Sequence, residues 1–486
     1  MYRSAPRPSI FFLLAAFPFL AFGADDAAHH IDLTTHWVGI TCLVLFVFAY
    51  LLVMAEEFTH LRKSKPVILA AGIMWMLVAI VYNQNDLPHE AEHAVRHNIL
   101  EFAELFLFLL AAMTYINAME ERKVFEALRS WLIRKGFGYR QLFWMTGTLA
   151  FFISPVADNL TTALLMCAVV MAVGADSPRF VGLACINIVV AANAGGAFSP
   201  FGDITTLMVW QKGVVPFQTF FLLFIPSVVN YVVPAAVMHF AVPNVVPTPS
   251  SEVIPMKRGA RRIIILFLLT ITTAVCFHNF LHLPPVLGMM TGLAYLKFFA
   301  YYLKKTGEMT AYAGGQLEDA MPFDIFHKMA RSEWDTLMFF YGVVLCVGAL
   351  GFIGYLELVS HVAYGEWGAT TANAVVGILS AVVDNIPVMF AVLTMMPEMS
   401  QGQWLLVTLT AGVGGSMLSI GSAAGVALMG QSKGMYTFFG HLKWLPVIAL
   451  GYVASIVAHM AINASLFDPS ELAAFGDLLG APAVSP

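Results

Sequence analysis

Three aspartates interrupt long apolar stretches of this 486-residue chain: Asp158, Asp203 and Asp384. Their segments read SPVADNLTT (154–162), FGDITT (201–206) and SAVVDNIP (380–387). A carboxylate surrounded by apolar residues is energetically costly and usually serves a function. The hydroxyl and amide side chains beside it add further hard oxygen donors, which suit small hard cations. The pattern therefore predicts a site for a monovalent cation such as Na⁺ or Li⁺.

Other oxygen-bearing side chains near these interruptions complete the candidate cation and proton site. They are Asn159, Thr161, Asn193, Thr205, Thr206, Ser380, Asn385, Ser419 and Ser422. The segments 141–174, 193–206, 369–399 and 412–422 contain no Lys or Arg, which an anion site would be expected to recruit. Burial favours the neutral form of a carboxyl group, and a bound cation favours the carboxylate. Competition between a cation and a proton for the aspartates would therefore couple the transport of the two.

Each aspartate also has a purely structural interpretation. Asp158 and Asp384 could cap the second helix of their segments, although a neutral Ser or Thr would cap at lower cost. Asp203 corresponds to Ser422 in the second half of the chain, so the site is expected to be asymmetric. The Gly pairs near the interruptions could serve close helix packing rather than unwinding.

Three further titratable residues are weaker candidates for a proton pathway or for pH sensing: Glu104, Asp335 and His93. Glu104 lies deepest in its apolar run, and Asp335 could equally cap a helix at the membrane interface. His89, His93 and His97 are four residues apart, which places them on one helical face. That face suits pH sensing or a metal, but a solvated interfacial face is the ordinary alternative. The five cysteines lack metal-ligand spacing, and no transition-metal site or cofactor is predicted.

The elements that must position these residues are membrane-spanning helices. The chain is 59% hydrophobic and only 11% charged, whereas globular chains are about 25% charged. Its recurrent apolar runs match the ~20 residues that a bilayer crossing needs. The composition and the apolar runs predict an all-α polytopic membrane protein. Neither an enzymatic activity nor a nucleic-acid partner is predicted.

We predict about ten spanning helices and two re-entrant hairpins. The spans lie near 34–54, 66–82, 98–119, 180–210, 217–240, 262–281, 285–303, 334–355, 403–429 and 444–466. The hairpins cover 141–174 and 369–399, and the spans 180–210 and 403–429 are interrupted at their Gly-rich segments. An eleventh helix is present if the N-terminal residues 1–24, which otherwise resemble a cleaved signal peptide, are retained.

Lys and Arg cluster in alternate loops, which predicts the orientation of the chain. With the mature N-terminus outside, the basic loops fall inside, and five elements repeat with inverted orientation. The first repeat covers 25–241, a Pro-rich cytoplasmic linker covers 242–261, and the second repeat covers 262–466. An acidic periplasmic tail, 467–486, follows. Inverted repeats with interrupted helices are a transporter architecture.

Four motifs closely resemble those of the NhaD-type sodium/proton antiporters. They are SPVADNLTTALL (154–165), NAGGAFSPFGDITTLMVWQKG (193–213), SAVVDNIPVMFAVL (380–393) and GGSMLSIGSAAGVALMG (414–430). The family belongs to an ion transporter superfamily with arsenite permeases and divalent-anion/sodium symporters. The resemblance implies exchange of Na⁺ or Li⁺ for H⁺ in a bacterial inner membrane, by a protein that is a homodimer. It supports roles for Asp158, Asn159, Asn193, Asp203, Thr205, Thr206, Asp384, Asn385, Ser419 and Ser422.

Three alternative functions stay open at this point. An anion symporter or permease of the same superfamily, for a dicarboxylate or arsenite, is the first. The aspartates and the lack of basic residues in the site segments argue against it. An intramembrane aspartyl protease using Asp158 and Asp384 is the second, although the chain lacks a Gly-x-Gly-Asp sequence. A channel is the third, and saturable counterflow would exclude it.

Overall fold

The computed structural model describes residues 31–59, 61–246, 253–312, 329–330 and 332–468. The predicted signal peptide or extra helix, part of the linker and nearly all of the acidic tail lie outside the described residues. Within them, helices predominate and no β-strand occurs.

The α-helices of the described residues are numbered in chain order. They are α1 (Trp37–Met54), α2 (Glu56–Thr59), α3 (Ser64–Gln84), α4 (Pro88–Glu121), α5 (Val124–Arg134), α6 (Tyr139–Ala157), α7 (Asn159–Gly174), α8 (Pro178–Ala197), α9 (Ile204–Gln211), α10 (Phe224–His239), α11 (Ala260–Leu281), α12 (Pro285–Tyr312), α13 (Trp334–Ile353), α14 (Tyr355–Ser360), α15 (Ala369–Val382), α16 (Asn385–Met395), α17 (Gln401–Gly414), α18 (Ala423–Gln431), α19 (Phe438–Leu442) and α20 (Leu445–Ile462). A 3₁₀ segment, Phe217–Leu223, leads directly into α10.

Nine helices of the described residues are long and apolar enough to cross a membrane. They are α1, α3, α4, α8, α10 with its 3₁₀ segment, α11, α12, α13 and α20. The tenth predicted span, 403–429, is divided into α17 and α18, which are each shorter than a bilayer crossing. The prediction of an all-α polytopic membrane protein is confirmed.

One helix begins well before its predicted start, and another helix was not predicted at all. The helix predicted over 98–119 begins at Pro88, so the histidine-rich segment is helical and is not a loop. Proline suits the first turn because its missing N–H would have no helical partner there. The basic segment before the first hairpin also contains a short helix, α5, that the apolar periodicity did not reveal.

Each Asp-Asn segment separates two helices of a hairpin. Asp158 lies between α6 and α7, and Asp384 lies between α15 and α16. Pro155 is in the last turn of α6, and Pro387 is in the first turn of α16. Proline has no N–H to donate, so it weakens helical continuity beside each aspartate. Helices α7 and α16, with 16 and 11 residues, are too short to cross a membrane.

The two helix breaks have matching backbone geometry. Asp203 precedes α9 with φ −145° and ψ 152°, and Ser422 precedes α18 with φ −141° and ψ 148°. Both residues are N-caps whose side-chain oxygens accept a backbone hydrogen bond from the helix that follows. The same local backbone therefore presents a carboxylate in the first half of the chain and a hydroxyl in the second.

The Gly pairs before the breaks divide two tasks between their members. Gly195 lies against the backbone of α6, and Gly414 lies against the backbone of α15, too close for a Cβ atom. Gly196 and Gly415 instead face the far side of their own breaks, where a Cβ would lie 2.7 Å and 2.6 Å from a glycine carbonyl oxygen. One glycine of each pair therefore allows close helix packing, and the next allows the chain to close the break.

Each broken helix packs against the hairpin of its own half. Helix α8 contacts α6 and α7, and α17 contacts α15 and α16. Ser154 donates to the carbonyl of Ala192 at 2.7 Å, and Ser380 donates to the carbonyl of Ala411 at the same distance. Almost every residue of α8 and α17 is buried. The broken helices are therefore buried where they pack against the hairpins of their own halves.

Candidate cation-binding site

The carboxylate of Asp203 lies between the tips of the two hairpins. Its Oδ2 accepts a hydrogen bond from Asn159 Nδ2 at 3.2 Å and from Asn385 Nδ2 at 2.9 Å. Its Oδ1 accepts from the backbone N–H of Thr205 at 3.3 Å. Asp203 is 5% exposed and Asn385 is 3% exposed. One buried carboxylate thus contacts an amide from each hairpin.

Asn193 connects this carboxylate cluster to the second break. Asn159 Nδ2 also donates to Asn193 Oδ1 at 2.9 Å, and Asn193 Nδ2 donates to Ser422 Oγ at 3.1 Å. Both Asn193 and Ser422 are buried. The structure therefore brings both hairpin tips and both breaks into one polar cluster.

Three buried oxygens beside this cluster have no hydrogen-bond partner among the described residues. They are Thr205 Oγ1, Ser419 Oγ and Asp384 Oδ1. Thr205 lies two residues after Asp203, and Ser419 lies in the break that ends at Ser422. Buried polar atoms are nearly always satisfied. Unpartnered oxygens close to a carboxylate are therefore suitable ligands for a small hard cation.

Other predicted site residues use their side chains within the fold. Thr206 Oγ1 donates to the carbonyls of Ser199 and Asp203, at 2.8 Å and 2.7 Å. Ser380 donates to a backbone carbonyl of α17, as described above. These two hydroxyls hold the break and the hairpin in position, and the structure does not bring them into the carboxylate cluster.

Asp158 is occupied with capping α7. Its Oδ1 accepts from Thr161 N and its Oδ2 accepts from Thr161 Oγ1, both at 2.8 Å. The backbone of Asp158 has φ 56° and ψ 162°, a combination that only glycine adopts readily. The capping interpretation of Asp158 therefore has direct structural support, whereas Asp384 makes no side-chain capping bond. The three aspartates have three different environments.

A single cavity nevertheless reaches all three aspartates. Asp158, Asp203 and Asp384 line it together with Asn159 and Asn385. The cavity also reaches Lys63, in the segment between α2 and α3, and Glu333, which precedes α13.

Lys63 lines the same cavity and was missed by the sequence reasoning. It precedes α3 within the basic segment Arg62-Lys63-Ser64-Lys65, where nothing distinguishes it from its neighbours. The segments that contain the aspartates lack Lys and Arg, as stated, but the tertiary structure adds this ammonium group from elsewhere in the chain. Tyr50 of α1 is a second missed residue, because it faces an adjoining cavity with Lys63 and Asp384.

The three weaker candidates lie apart from the carboxylate cluster. Asp335 accepts a hydrogen bond from the hydroxyl of Ser64 at the Lys63 end of the molecule. Glu104 lines a separate pocket between the first half of α4 and the C-terminal end of α9. That pocket contains an ion pair between Lys212 and Glu101. His93 is exposed on α4.

Comparison with known proteins identifies the family. A family model described as "Citrate transporter" matches residues 49–412, which is most of the chain. The chain is 62% identical to the Na⁺/H⁺ antiporter NhaD of Alkalimonas amylolytica, over 91% of this chain and 94% of that protein. It is 59% identical to the Na⁺/H⁺ antiporter NhaD of Vibrio cholerae, over 93% of this chain and 98% of that protein.

This chain belongs to the NhaD family of Na⁺/H⁺ antiporters. The resemblance in the four motifs is confirmed by identity along nearly the whole chain. More distant similarity extends to sodium/proton antiporter 2 of Arabidopsis thaliana, at 29% identity over 86% of this chain. The predicted class, a multi-pass membrane transporter, is confirmed by NhaD membership together with the nine long apolar helices.

Proposed function

We propose that this protein exchanges Na⁺, and also Li⁺, for H⁺ across a bacterial inner membrane by alternating access. The observation that carries the proposal is the position of Asp203, whose carboxylate contacts an asparagine from each hairpin in a buried cavity. The names of the NhaD relatives add independent support for the two substrates.

The cation and the proton would compete for the aspartates. In the arrangement described, two amide N–H groups point at Asp203 Oδ2. A bound cation requires oxygen ligands there, and rotation of an asparagine side chain replaces its amide nitrogen with its carbonyl oxygen. The unpartnered hydroxyls of Thr205 and Ser419 supply further ligands. A proton on Asp203 instead donates to an amide oxygen and displaces the cation.

Asp384 and Asp158 would contribute to the same exchange from the two hairpin tips. Asp384 has an unpartnered oxygen and is available to a cation that approaches through the cavity. Asp158 lines the cavity while it caps α7, so its carboxylate adds negative charge near the ion. Thr161, through its bonds to Asp158, would hold that carboxylate in place.

The two halves of the chain would form inverted repeats around this site. The matching N-caps at Asp203 and Ser422 and the matching bonds of Ser154 and Ser380 support a common origin for the two halves. Hairpins that enter from opposite sides would open the cluster to each side in turn. We place the basic loops in the cytoplasm and both mature termini in the periplasm, with Glu104 and Asp335 near opposite ends of the ion pathway.

A homodimer is the proposed assembly, formed through helices that do not carry the site. The exposed apolar side chains of α11, including Ile265 and Leu268, fit either lipid or a second copy. The mass of the protein in detergent, measured by light scattering with the detergent contribution subtracted, tests this part. A monomeric mass at micromolar concentration would contradict it.

The decisive experiment measures the dissipation of ΔpH in inverted vesicles on addition of Na⁺, Li⁺ or K⁺. Na⁺ and Li⁺ are expected to dissipate the gradient in vesicles that contain the wild-type protein and not in vesicles that contain Asp203→Asn. Absence of a response to both ions in the wild type would refute the proposed function.

Anion transport is a second candidate because the matching family model is described as a citrate transporter and because Lys63 lines the cavity. Three aspartates line the same cavity, however, and their charge opposes that of a carboxylate substrate. Uptake of labelled citrate or another dicarboxylate into proteoliposomes, with and without Na⁺, separates the two candidates. We expect no uptake above that of empty liposomes.

A further inference from the structure

Lys63 has a position that the exchange of Na⁺ for H⁺ does not by itself require. Its side chain lines the cavity that contains the aspartates and also the adjoining cavity that contains Tyr50. Its Nζ lies over the ring of Phe339, 4.8 Å from the ring centroid. Among the described residues that line these two cavities, Lys63 is the one Lys or Arg.

Asp384 lines both of these cavities together with Lys63. Its Oδ1 is buried without a hydrogen-bond partner among the described residues. The hydroxyl of Tyr50 is likewise unpartnered, on a side chain that is 6% exposed. The unpartnered carboxylate oxygen and hydroxyl are hard oxygen donors suited to a cation. Lys63 brings a positive charge to the same cavity that would compete with such a cation.

The other charged residues among the described ones that line the two cavities are acidic. Glu333 lines both cavities, and Glu56 and Asp335 line the one that contains Tyr50. Asp335 accepts from Ser64, and Glu333 accepts from Thr336. Because these carboxylates are negative when ionised, they attract the ammonium of Lys63 whether or not it contacts Asp384.

We propose that the Lys63 ammonium is a tethered competitor of Na⁺ at Asp384. In the absence of Na⁺, rotation about the bonds of its four-carbon side chain brings the ammonium to the unpartnered oxygen of Asp384. When Na⁺ arrives it withdraws to the face of Phe339, where a cation–π contact holds it. Lys63 would thereby weaken Na⁺ binding from this side and speed the release of Na⁺. The inference rests on the proposed function and assigns a residue that sets the affinity for the cation.

The first test removes the charge of Lys63 and keeps its apolar stem. Lys63→Met is expected to lower the apparent KM for Na⁺ about fivefold in ΔpH-dissipation assays, because the competing charge is lost. Lys63→Arg keeps the charge and is expected to stay near the wild-type KM. Lys65→Met is the matched control, since Lys65 is exposed on the same segment and lines neither cavity. An unchanged KM in Lys63→Met would overturn the proposal.

A second test restores the charge on protein that is already folded. Lys63→Cys is treated with a methanethiosulfonate reagent that adds an ethylammonium group, or with methyl methanethiosulfonate as the uncharged control. The ammonium reagent is expected to raise the KM for Na⁺ toward the wild-type value, and the methyl reagent is not. Wild-type protein treated in parallel reports on Cys276, which is partly accessible. Equal effects of the two reagents on Lys63→Cys would refute the competitor role.

These outcomes are distinct from failure of the proposed function. If the wild-type protein does not respond to Na⁺ at all, the exchange itself is refuted. If the wild type responds and the Lys63 variants share its KM, the exchange stands and the tethered competitor is refuted.

Discussion

Asn385 donates a hydrogen bond to Asp203 Oδ2 at 2.9 Å, although the two residues are 182 positions apart. The bond joins the tip of the second hairpin to the break in the first half of the chain. Asp203 thus contacts both halves of the chain, because Asn159 of the first hairpin donates to the same oxygen. Movement of either hairpin would change the hydrogen bonds of this one carboxylate, as the proposed alternating access requires.

Asp203→Asn is expected to lower the rate of Na⁺-dependent dissipation of ΔpH by roughly two orders of magnitude or more, because the buried charge at the cluster is lost. The substitution preserves size, so the amount of protein in the membrane, measured by immunoblot, is expected to match the wild type. Asp86→Asn is the control, since Asp86 is exposed and lies outside the cluster. Exchange above a tenth of the wild-type rate in Asp203→Asn would contradict the assignment.

Asp158→Asn and Asp384→Asn are both expected to abolish exchange while the protein still inserts. Asn caps a helix about as well as Asp, so Asp158→Asn separates the charge of Asp158 from its capping of α7. The melting temperature of the purified variant is expected to stay within a few degrees of the wild type. Normal transport by both variants would refute a role for these carboxylates, and normal transport by Asp158→Asn alone would make Asp158 a structural cap.

Thr205→Val and Ser419→Ala remove hydroxyls that have no partner in the fold. Each is expected to raise the KM for Na⁺ up to about tenfold, the equivalent of one polar contact, with little change in melting temperature. The KM is measured from the concentration dependence of ΔpH dissipation. If neither value moves, these oxygens are not ligands of the cation.

Ser154→Ala and Ser380→Ala are expected to show the opposite pattern. Each removes a 2.7 Å hydrogen bond between a hairpin and a broken helix. The loss is expected to cost about 1 kcal/mol in stability, seen as a lower melting temperature of the purified protein. The KM for Na⁺ is expected to stay within twofold of the wild type. A large rise in KM for Ser380→Ala would show instead that its hydroxyl binds the cation, as the sequence pattern suggested.

The apparent KM for Na⁺ is expected to rise as the pH of the Na⁺-binding side falls. Protons that neutralise a carboxylate remove the charge that holds Na⁺, so the KM rises by up to about tenfold per pH unit. The maximal rate at saturating Na⁺ is expected to change much less. A KM that is independent of pH, measured between about pH 7 and 9, would exclude competition for a shared group.

His93→Ala is expected to leave the pH profile of exchange unchanged, because His93 is exposed on α4. His97 is the informative comparison, since its Nε2 lies 3.2 Å from Glu101, which also pairs with Lys212. His97→Ala is expected to shift the profile by changing the charge at this pocket. A shift in His93→Ala of the same size would restore His93 as a sensor.

Local physical rules account for what the sequence predicted well. Repeated runs of about 20 apolar residues in a chain with few charges indicate helices that span a membrane. Proline beside Asp158 and Asp384, and Gly pairs before Asp203 and Ser422, locate the hairpin tips and the breaks, because these residues disfavour a continuous helix over a few positions. The side chains that meet at Asp203 were therefore present in the predicted site before their contacts were known.

The helix boundaries show where local rules fail. The first turns of α4 carry polar histidines, and an apolar-run criterion left them out of the span predicted at 98–119, yet Pro88 begins a helix that continues to Glu121. Helix α5 was missed for the same reason, since it combines apolar and charged residues over 11 positions. A search for apolar runs of bilayer length cannot detect a helix, or part of one, that lies outside the apolar region.

The sequence by itself thus determined the class of the protein, the positions of its hairpins and breaks, and the kinds of ligand near them. The tertiary structure decided which carboxylate contacts both hairpins, since hydrogen bonds depend on the orientation of side chains from distant elements. It separated Asp203, held by Asn159 and Asn385, from Asp158, which caps its own helix. It also brought Lys63 to the aspartates, because the packing of α3 beside α13 places the start of α3 at the cavity, and no spacing along the chain encodes that approach.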